Sequence, residues 1–187
     1  MNDVPTLLRH KLQITQFHQM RVAGIFRSED RIELLEGELI DMPPIGPAHS
    51  GKTNQLSRLL LQAVGNTAIV SVQNPVMLSE DSESQPDLAI LRWREDFYAT
   101  THPQPQDILL IVEIADTTAS VDRTYKIPLY AQYNIPEVWL LDLQKRQLEI
   151  YRQPEADHYR YILIPKRDET VDLLLLPNIT LELKAMW

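Results

Sequence analysis

Apolar and polar residues follow two rhythms along this chain, helical in its first third and mostly strand-like beyond it. Residues 1–13 read as a peripheral segment. Thr15 can then cap a helix to about Phe26, with Phe17 and Met20 on one face. Ile32 to Leu35, the pair Glu36-Gly37, and Glu38 to Ile40 predict a tight hairpin or a bulged strand. Pro43, Pro44 and Pro47 break the chain. The next helix runs from about Ala48 to Val64, with Leu56, Leu59, Leu60 and Ala63 inward.

From there strands dominate. Ala68 to Val72 is one, and Asp87 to Leu91 is another, short and apolar after the Pro86-Asp87 turn. Ile108 to Ile114 is apolar on both faces, the mark of a strand central in its sheet. A helix from about Ser120 to Tyr133 has Asp122 in its first turn, and Pro128 inside it predicts a kink or a break. Glu137 to Asp142, Gln147 to Tyr151 and Tyr159 to Ile164 suggest a meander. Leu173 to Leu176 and Ile179 to Leu183 are the last strands. Helices with a mixed sheet make this an α/β or α+β chain. No repeat or linker divides it, so residues 1–187 read as a single domain.

Composition narrows the function. The chain has no cysteine among 187 residues, which excludes disulfide frameworks, Cys-ligated zinc, iron–sulfur clusters and thiol catalysis. The longest apolar runs, Ile108 to Val112 and Leu173 to Leu176, fall far short of a membrane span, and no signal-peptide core is visible. A soluble, cytoplasmic protein is expected. The net charge of −8 is spread evenly, with 9 basic against 12 acidic residues up to residue 95 and 9 against 14 beyond. That argues against a protein that coats nucleic acid by counterion release, but leaves room for a small cleft that meets a phosphate through a metal.

Three residues have the types such a cleft needs. Asp87 starts a strand, Glu113 lies near the end of the apolar strand LLIVEIA, and Lys126 follows 13 residues later on a helix. Two carboxylates offer hard oxygen ligands to Mg²⁺. A lysine can position or deprotonate the attacking water and meet the developing charge. The plainer alternatives are a turn signal at Pro86-Asp87 and a structural salt bridge from Glu113 to Lys126 or Arg123.

The segments IELLEGELIDMPPIGPAHS, QPDLAIL and IVEIADTTASVDRTYKIPLYAQYNIPEVWLLD, spanning residues 32–142, resemble the Uma2 family. These are restriction-endonuclease-like bacterial proteins of the PD-(D/E)XK nuclease superfamily. The resemblance implies a restriction-endonuclease-like mixed β-sheet flanked by helices. It also implies a metal-dependent endonuclease that hydrolyses phosphodiester bonds in DNA with Mg²⁺ or Mn²⁺, working as a homodimer. Asp87 and Glu113 match the family's metal-binding acids, the Ile114 carbonyl would add a ligand, and Lys126 matches the family's lysine. In the superfamily's parent pattern the lysine sits two residues after the glutamate, where this chain has Ala115. Glu33 and Glu38 match acidic positions that could make outer metal contacts, or are solvent-facing hairpin residues. His49 matches a histidine that could touch a phosphate or a metal-bound water, or is a cap or packing residue. Tyr130 and Tyr133 are expected in the core or at a dimer contact.

Two other readings stay open. One is a non-catalytic interaction protein that keeps the nuclease fold. The other is nucleotide binding: GPAHSGKT, Gly46 to Thr53, satisfies the P-loop pattern, with Lys52 as the phosphate lysine and Asp142 of VWLLD as a Mg²⁺ residue.

Overall fold

The first helix is shorter than its apolar pattern predicts. The computed structural model describes residues 8–187, so the first seven residues of the expected peripheral segment lie outside the described residues. Helix α1 spans Ile14–Val22 and stops because Gly24 takes φ +70°. The Gly24 amide then donates to the Arg21 carbonyl and the Ile25 amide to the Met20 carbonyl, which closes the last turn. At the other end Gln13, not Thr15, is the cap residue, and its amide donates to the Gln16 side chain at 2.8 Å.

This helix belongs to a smaller unit made of residues up to Pro44 and Met77–Ser84. Strands β1 (Ile32–Leu35) and β2 (Glu38–Asp41) form the expected hairpin, with Leu35 paired to Glu38. Its two turn residues, Glu36 at φ +49° and Gly37 at φ +74°, match the right-handed twist of the strands. A side chain at Gly37 would also collide with Lys11, whose Cβ lies 2.7 Å from where the new Cβ would sit. A second hairpin, β4 (Val76–Ser79) and β5 (Ser82–Ser84), completes a sheet of order β2-β1-β5-β4. Ile14, Phe17, Ile32 and Leu34 are its core.

The larger unit, Ile45–Val76 and Gln85–Trp187, contains helix α2 (Pro47–Val64), strands β3 (Ala68–Val72) and β6 (Leu88–Arg92), and the strand β7 (Ile108–Ala115). All eight residues of β7 are buried, and β7 sits inside a six-stranded sheet as expected. The order is β10-β9-β8-β7-β6-β3, where β8 is Glu137–Asp142, β9 is Gln147–Glu155 and β10 is His158–Leu163. Strands β8, β9 and β10 form the expected meander. Only the β7–β8 pair is parallel, so the chain must cross over between them. The crossover is helical: α3 (Ala119–Val121), a π-helical turn at Asp122–Lys126 and α4 (Ile127–Gln132). On α2, Leu56, Leu60 and Val64 join Leu88, Ile90, Val112 and Trp139 in one apolar cluster. Each such side chain, fully buried, contributes about 1.5–3 kcal/mol.

The end of the chain departs from expectation. Leu173 to Leu176 is not one strand. Strand β11 (Thr170–Leu173) ends there, Leu174 and Leu175 turn, and β12 (Leu176–Glu182) returns. A run of four leucines does not say where a turn falls. What fixes it is buried Glu137, whose carboxylate accepts the Leu174 amide at 2.8 Å. Among the described residues no helix is long and apolar enough to cross a membrane.

Candidate active site

Register places the first two residues of the site. Strands β6 and β7 pair antiparallel with Leu88 opposite Val112, so one further step sets Asp87 opposite Glu113. Asp87 is held from three sides. Its Oδ2 accepts the Ile114 amide at 2.9 Å and bonds His49 Nε2 at 3.0 Å, and its Oδ1 accepts the Gln73 side-chain amide at 3.2 Å. Gln73, at φ +50°, also donates its backbone amide to the Asp87 carbonyl. The chain bends at Asp87, and the side chain expected only to signal a turn is tied into the sheet. Sequence reasoning missed Gln73, because a left-handed glutamine after a strand has no pattern to announce it.

Glu113 and Lys126 meet as a buried pair. Lys126 Nζ lies 3.3 Å from Glu113 Oε1, and both side chains are 4% exposed. The Tyr130 hydroxyl donates to the same oxygen at 2.5 Å. Lys126 and Tyr130 are four residues apart, the spacing that puts two helix residues on one face. Tyr130 is fully buried, so it is the core residue expected and also a partner of Glu113. Arg123, the other candidate partner, goes elsewhere.

Pro128 shapes the helix that carries Lys126. It has no amide to give the Thr124 carbonyl, so a regular α-helix loses a bond there. The chain instead forms the π-turn, in which the Ile127 amide reaches back five residues to the Asp122 carbonyl. The break predicted at Pro128 is thus a π-turn that ends two residues before it, at Lys126.

The weaker candidates separate. His49, on the first turn of α2, bonds Asp87, and its ring faces Thr53 at 3.5 Å. Glu33, in the smaller unit, is 2% exposed and accepts the Ser84 hydroxyl at 3.1 Å; it is not a solvent-facing hairpin residue. Glu38 sits at the surface beside Lys11, at 2.9 Å, and Arg9. The Lys11 hydrogen bond and charge hold its carboxyl below the usual range.

The P-loop reading fails on backbone shape. A phosphate cradle needs a loop of free amides before its helix. Here Pro47 to Thr53 is already the start of α2, with the Ser50 amide bonded to the Gly46 carbonyl. Lys52 donates to the Met186 carbonyl at 2.6 Å and to Gln55 at 2.7 Å, and Asp142 is engaged by Arg123. Lys52→Ala is therefore expected to cost roughly 1 kcal/mol of stability for the lost hydrogen bonds and to leave any nicking activity of wild type nearly unchanged. Chemical denaturation and a nicking assay on the same protein check both halves. Saturable ATP binding lost in Lys52→Ala would restore the P-loop.

Arg123 anchors the π-turn to the sheet. Its guanidinium bonds Asp142 at 2.7 Å and both oxygens of Glu149, at 2.7 and 2.9 Å, and Tyr151 donates to Glu149 at 2.6 Å. Burial pushes the Asp142 and Glu149 carboxyls up, but the Arg123 bonds and charge outweigh it and hold both below their usual values. Such depressed groups stabilise the fold above their unfolded values, and that stability fades as pH falls through the lower folded values. Arg123→Gln should thus destabilise by roughly 2–3 kcal/mol at pH 7. The gap to wild type should shrink as pH falls below the ordinary carboxylate range and through the lowered values of the two acids. Urea melts across pH test this; a gap independent of pH would remove Asp142 and Glu149 as its source.

Comparison with known proteins agrees with this architecture. A solved structure described as a "putative nuclease belonging to DUF820", from Anabaena variabilis ATCC 29413, superimposes with TM-score 0.72 over 94% of this chain and 97% of that one. At 16% identity the likeness establishes a shared fold, the mixed sheet flanked by helices expected for a nuclease-like chain. No curated protein compared with the chain matches it. Residues 14–184 match the family model Uma2, described as "Putative restriction endonuclease", and with nearly the whole chain covered the protein belongs to the Uma2 family.

Proposed function

We propose that the protein is a divalent-metal-dependent endonuclease that hydrolyses phosphodiester bonds in DNA, with residues 1–187 acting as one endonuclease-like domain in the cytoplasm. The observation that carries this is the meeting of Asp87, Glu113 and Lys126 at one end of the β6–β7 pair. The donor chemistry fits Mg²⁺ or Mn²⁺. Among the described residues no three His, Cys, Asp or Glu side chains gather as a ready cage. Mg²⁺ needs none, because it is commonly held by one or two carboxylates and keeps several waters. Asp87, Glu113 and the Ile114 carbonyl would hold it. When bound, the ion acidifies water and offsets phosphate charge.

The other tasks belong to the chain. Ile114, His49 and Gln73 fix the Asp87 carboxylate, and Tyr130 fixes that of Glu113. Lys126 carries a positive charge to the place where a phosphate gains negative charge, and it can orient or deprotonate the attacking water. His49 and Asp87 are more open than Glu113 and Lys126, with side chains 15% and 10% against 4% exposed, so the phosphate would enter from their side. Two copies of such a protein would present two sites to the two strands of a duplex.

A second reading has its own support: Glu113 and Lys126 already form a closed ion pair, as a purely structural bridge would. Plasmid nicking with Mg²⁺ and Mn²⁺, comparing wild type with Glu113→Gln, separates the two. Metal-dependent nicking by wild type that is lost in the variant supports catalysis, and no nicking by either supports the structural reading.

A further inference from the structure

We propose that the outer edge of β10 joins a second copy of the chain, strand to strand and antiparallel, so that two six-stranded sheets become one. The inference is independent of the catalytic reading. Strand β10 is the last in the sheet order, and its only strand partner among the described residues is β9. Its outward amides and carbonyls are therefore open to another strand. Proteins usually blunt such an edge with charges, proline or a bulge. This one keeps one register against β9 from His158 to Leu163, interrupted only at Arg160 where Gln153 of β9 takes φ +57°, and Arg160 is its only Lys, Arg, Asp or Glu.

The side chains of this edge are apolar and exposed. Tyr161, Ile162, Leu163 and Ile164 are 45–58% exposed, the longest run of exposed large apolar residues among those described. Neighbouring strand residues point to opposite faces, so the run leaves apolar surface on both sides of the sheet. A run of this kind on an open edge pairs or aggregates.

Charge selects the occupant. Glu155, the last residue of β9, and Asp157 in the turn precede β10, and Lys166 and Arg167 follow it. Glu155 also pairs with Arg160 of its own chain at 3.4 Å, and Arg167 bonds the Arg146 carbonyl, so Asp157 and Lys166 are the charges most available to a second copy. A two-fold axis through the strand's middle reverses its direction, so the acidic end of one copy lies beside the basic end of the other. A strand that is acidic at one end, apolar in the middle and basic at the other is complementary to itself. Asp168 and Glu169 follow, but Glu169 is folded back to accept the Lys166 amide at 3.0 Å. In an antiparallel ladder, hydrogen-bonded and non-bonded pairs alternate, so a two-fold axis must pass midway between a residue and its own copy, paired with each other. Centring the charged ends pairs Tyr161 with Tyr161 or Ile162 with Ile162 across that axis.

The absence of native cysteine makes this directly readable. Sedimentation should show a dimer whose population grows with concentration in the micromolar range. Under mild oxidation either Tyr161→Cys or Ile162→Cys should cross-link to a covalent dimer, since paired strands bring such residues within disulfide reach. Leu61→Cys, exposed on α2, should not. Ile162→Lys with Ile164→Lys should weaken the dimer at least roughly 10-fold while far-UV circular dichroism stays unchanged. Asp157→Lys should weaken it at low salt, and adding Lys166→Glu should restore it. A wild type that stays monomeric at every concentration overturns the proposal. So does a dimer in which neither strand cysteine cross-links, which would assign another surface.

Discussion

Glu113→Gln, Asp87→Asn and Lys126→Ala are each expected to slow metal-dependent DNA nicking by at least ~100-fold, the scale lost when one charge-stabilising group is removed. The variants differ in what else they disturb. Glu113→Gln keeps an oxygen to accept from Tyr130 but takes the Glu113 charge away from buried Lys126. Lys126→Ala leaves the Glu113 carboxylate buried with one charge partner fewer, a loss that costs about 3–5 kcal/mol in buried pairs. A loss of nicking in either could then be misread as a loss of folding.

The double variant Glu113→Gln/Lys126→Met separates the two. It removes both charges and keeps the volume, so it should be more stable than either single variant and near wild type. If the pair is only structural, the double variant keeps whatever activity wild type has. If Glu113 and Lys126 do chemistry, it melts like wild type and cuts no DNA. Nicking rates and thermal melts on the same preparations decide. Nicking retained by a folded Glu113→Gln protein sinks the assignment of Glu113.

How much of this was legible in the chain depends on how local the cause is. The hairpin at Glu36-Gly37, the buried β7 and helix α2 follow from patterns within a few residues, and they stand where expected. The stop of α1 was also written locally, in Gly24, but the apolar pattern running on to Phe26 hid it. The β4–β5 hairpin was not legible, because SES and VMLS are too short and mixed to show a period. The leucine turn at 174–175 depends on Glu137, 37 residues away in sequence. The site divides in the same way. Asp87, Glu113 and Lys126 stood out by type, and the i, i+4 spacing from Lys126 could have added Tyr130. Gln73 reaches Asp87 only through the fold, and Arg123 finds two acids on separate strands, so neither had a sequence signal.

Metal should reorder the stability of wild type and Asp87→Asn. Without metal, two carboxylates set opposite each other repel. At ~4 Å and an effective dielectric of ~20 that term is roughly 4 kcal/mol, an upper scale reduced here by Lys126 beside Glu113 and His49 beside Asp87. Asn removes the repulsion and can still accept the Ile114 amide, while Gln73 can turn its amide to meet the new donor. The variant in EDTA should therefore be as stable as wild type or slightly more so. With Mn²⁺ or Mg²⁺ at about 100 times its Kd, wild type gains roughly 2.7 kcal/mol, and the variant, lacking one of two anionic ligands, gains much less. For a chain of this length that opens a gap of about 5–10 °C in melting temperature, with wild type now above. Thermal melts of both proteins in EDTA and in excess Mn²⁺ read the ordering directly. Equal shifts in the two proteins, or none in either, would mean that Asp87 and Glu113 do not share a metal, and the buried Glu113–Lys126 pair would then stand as a structural bridge.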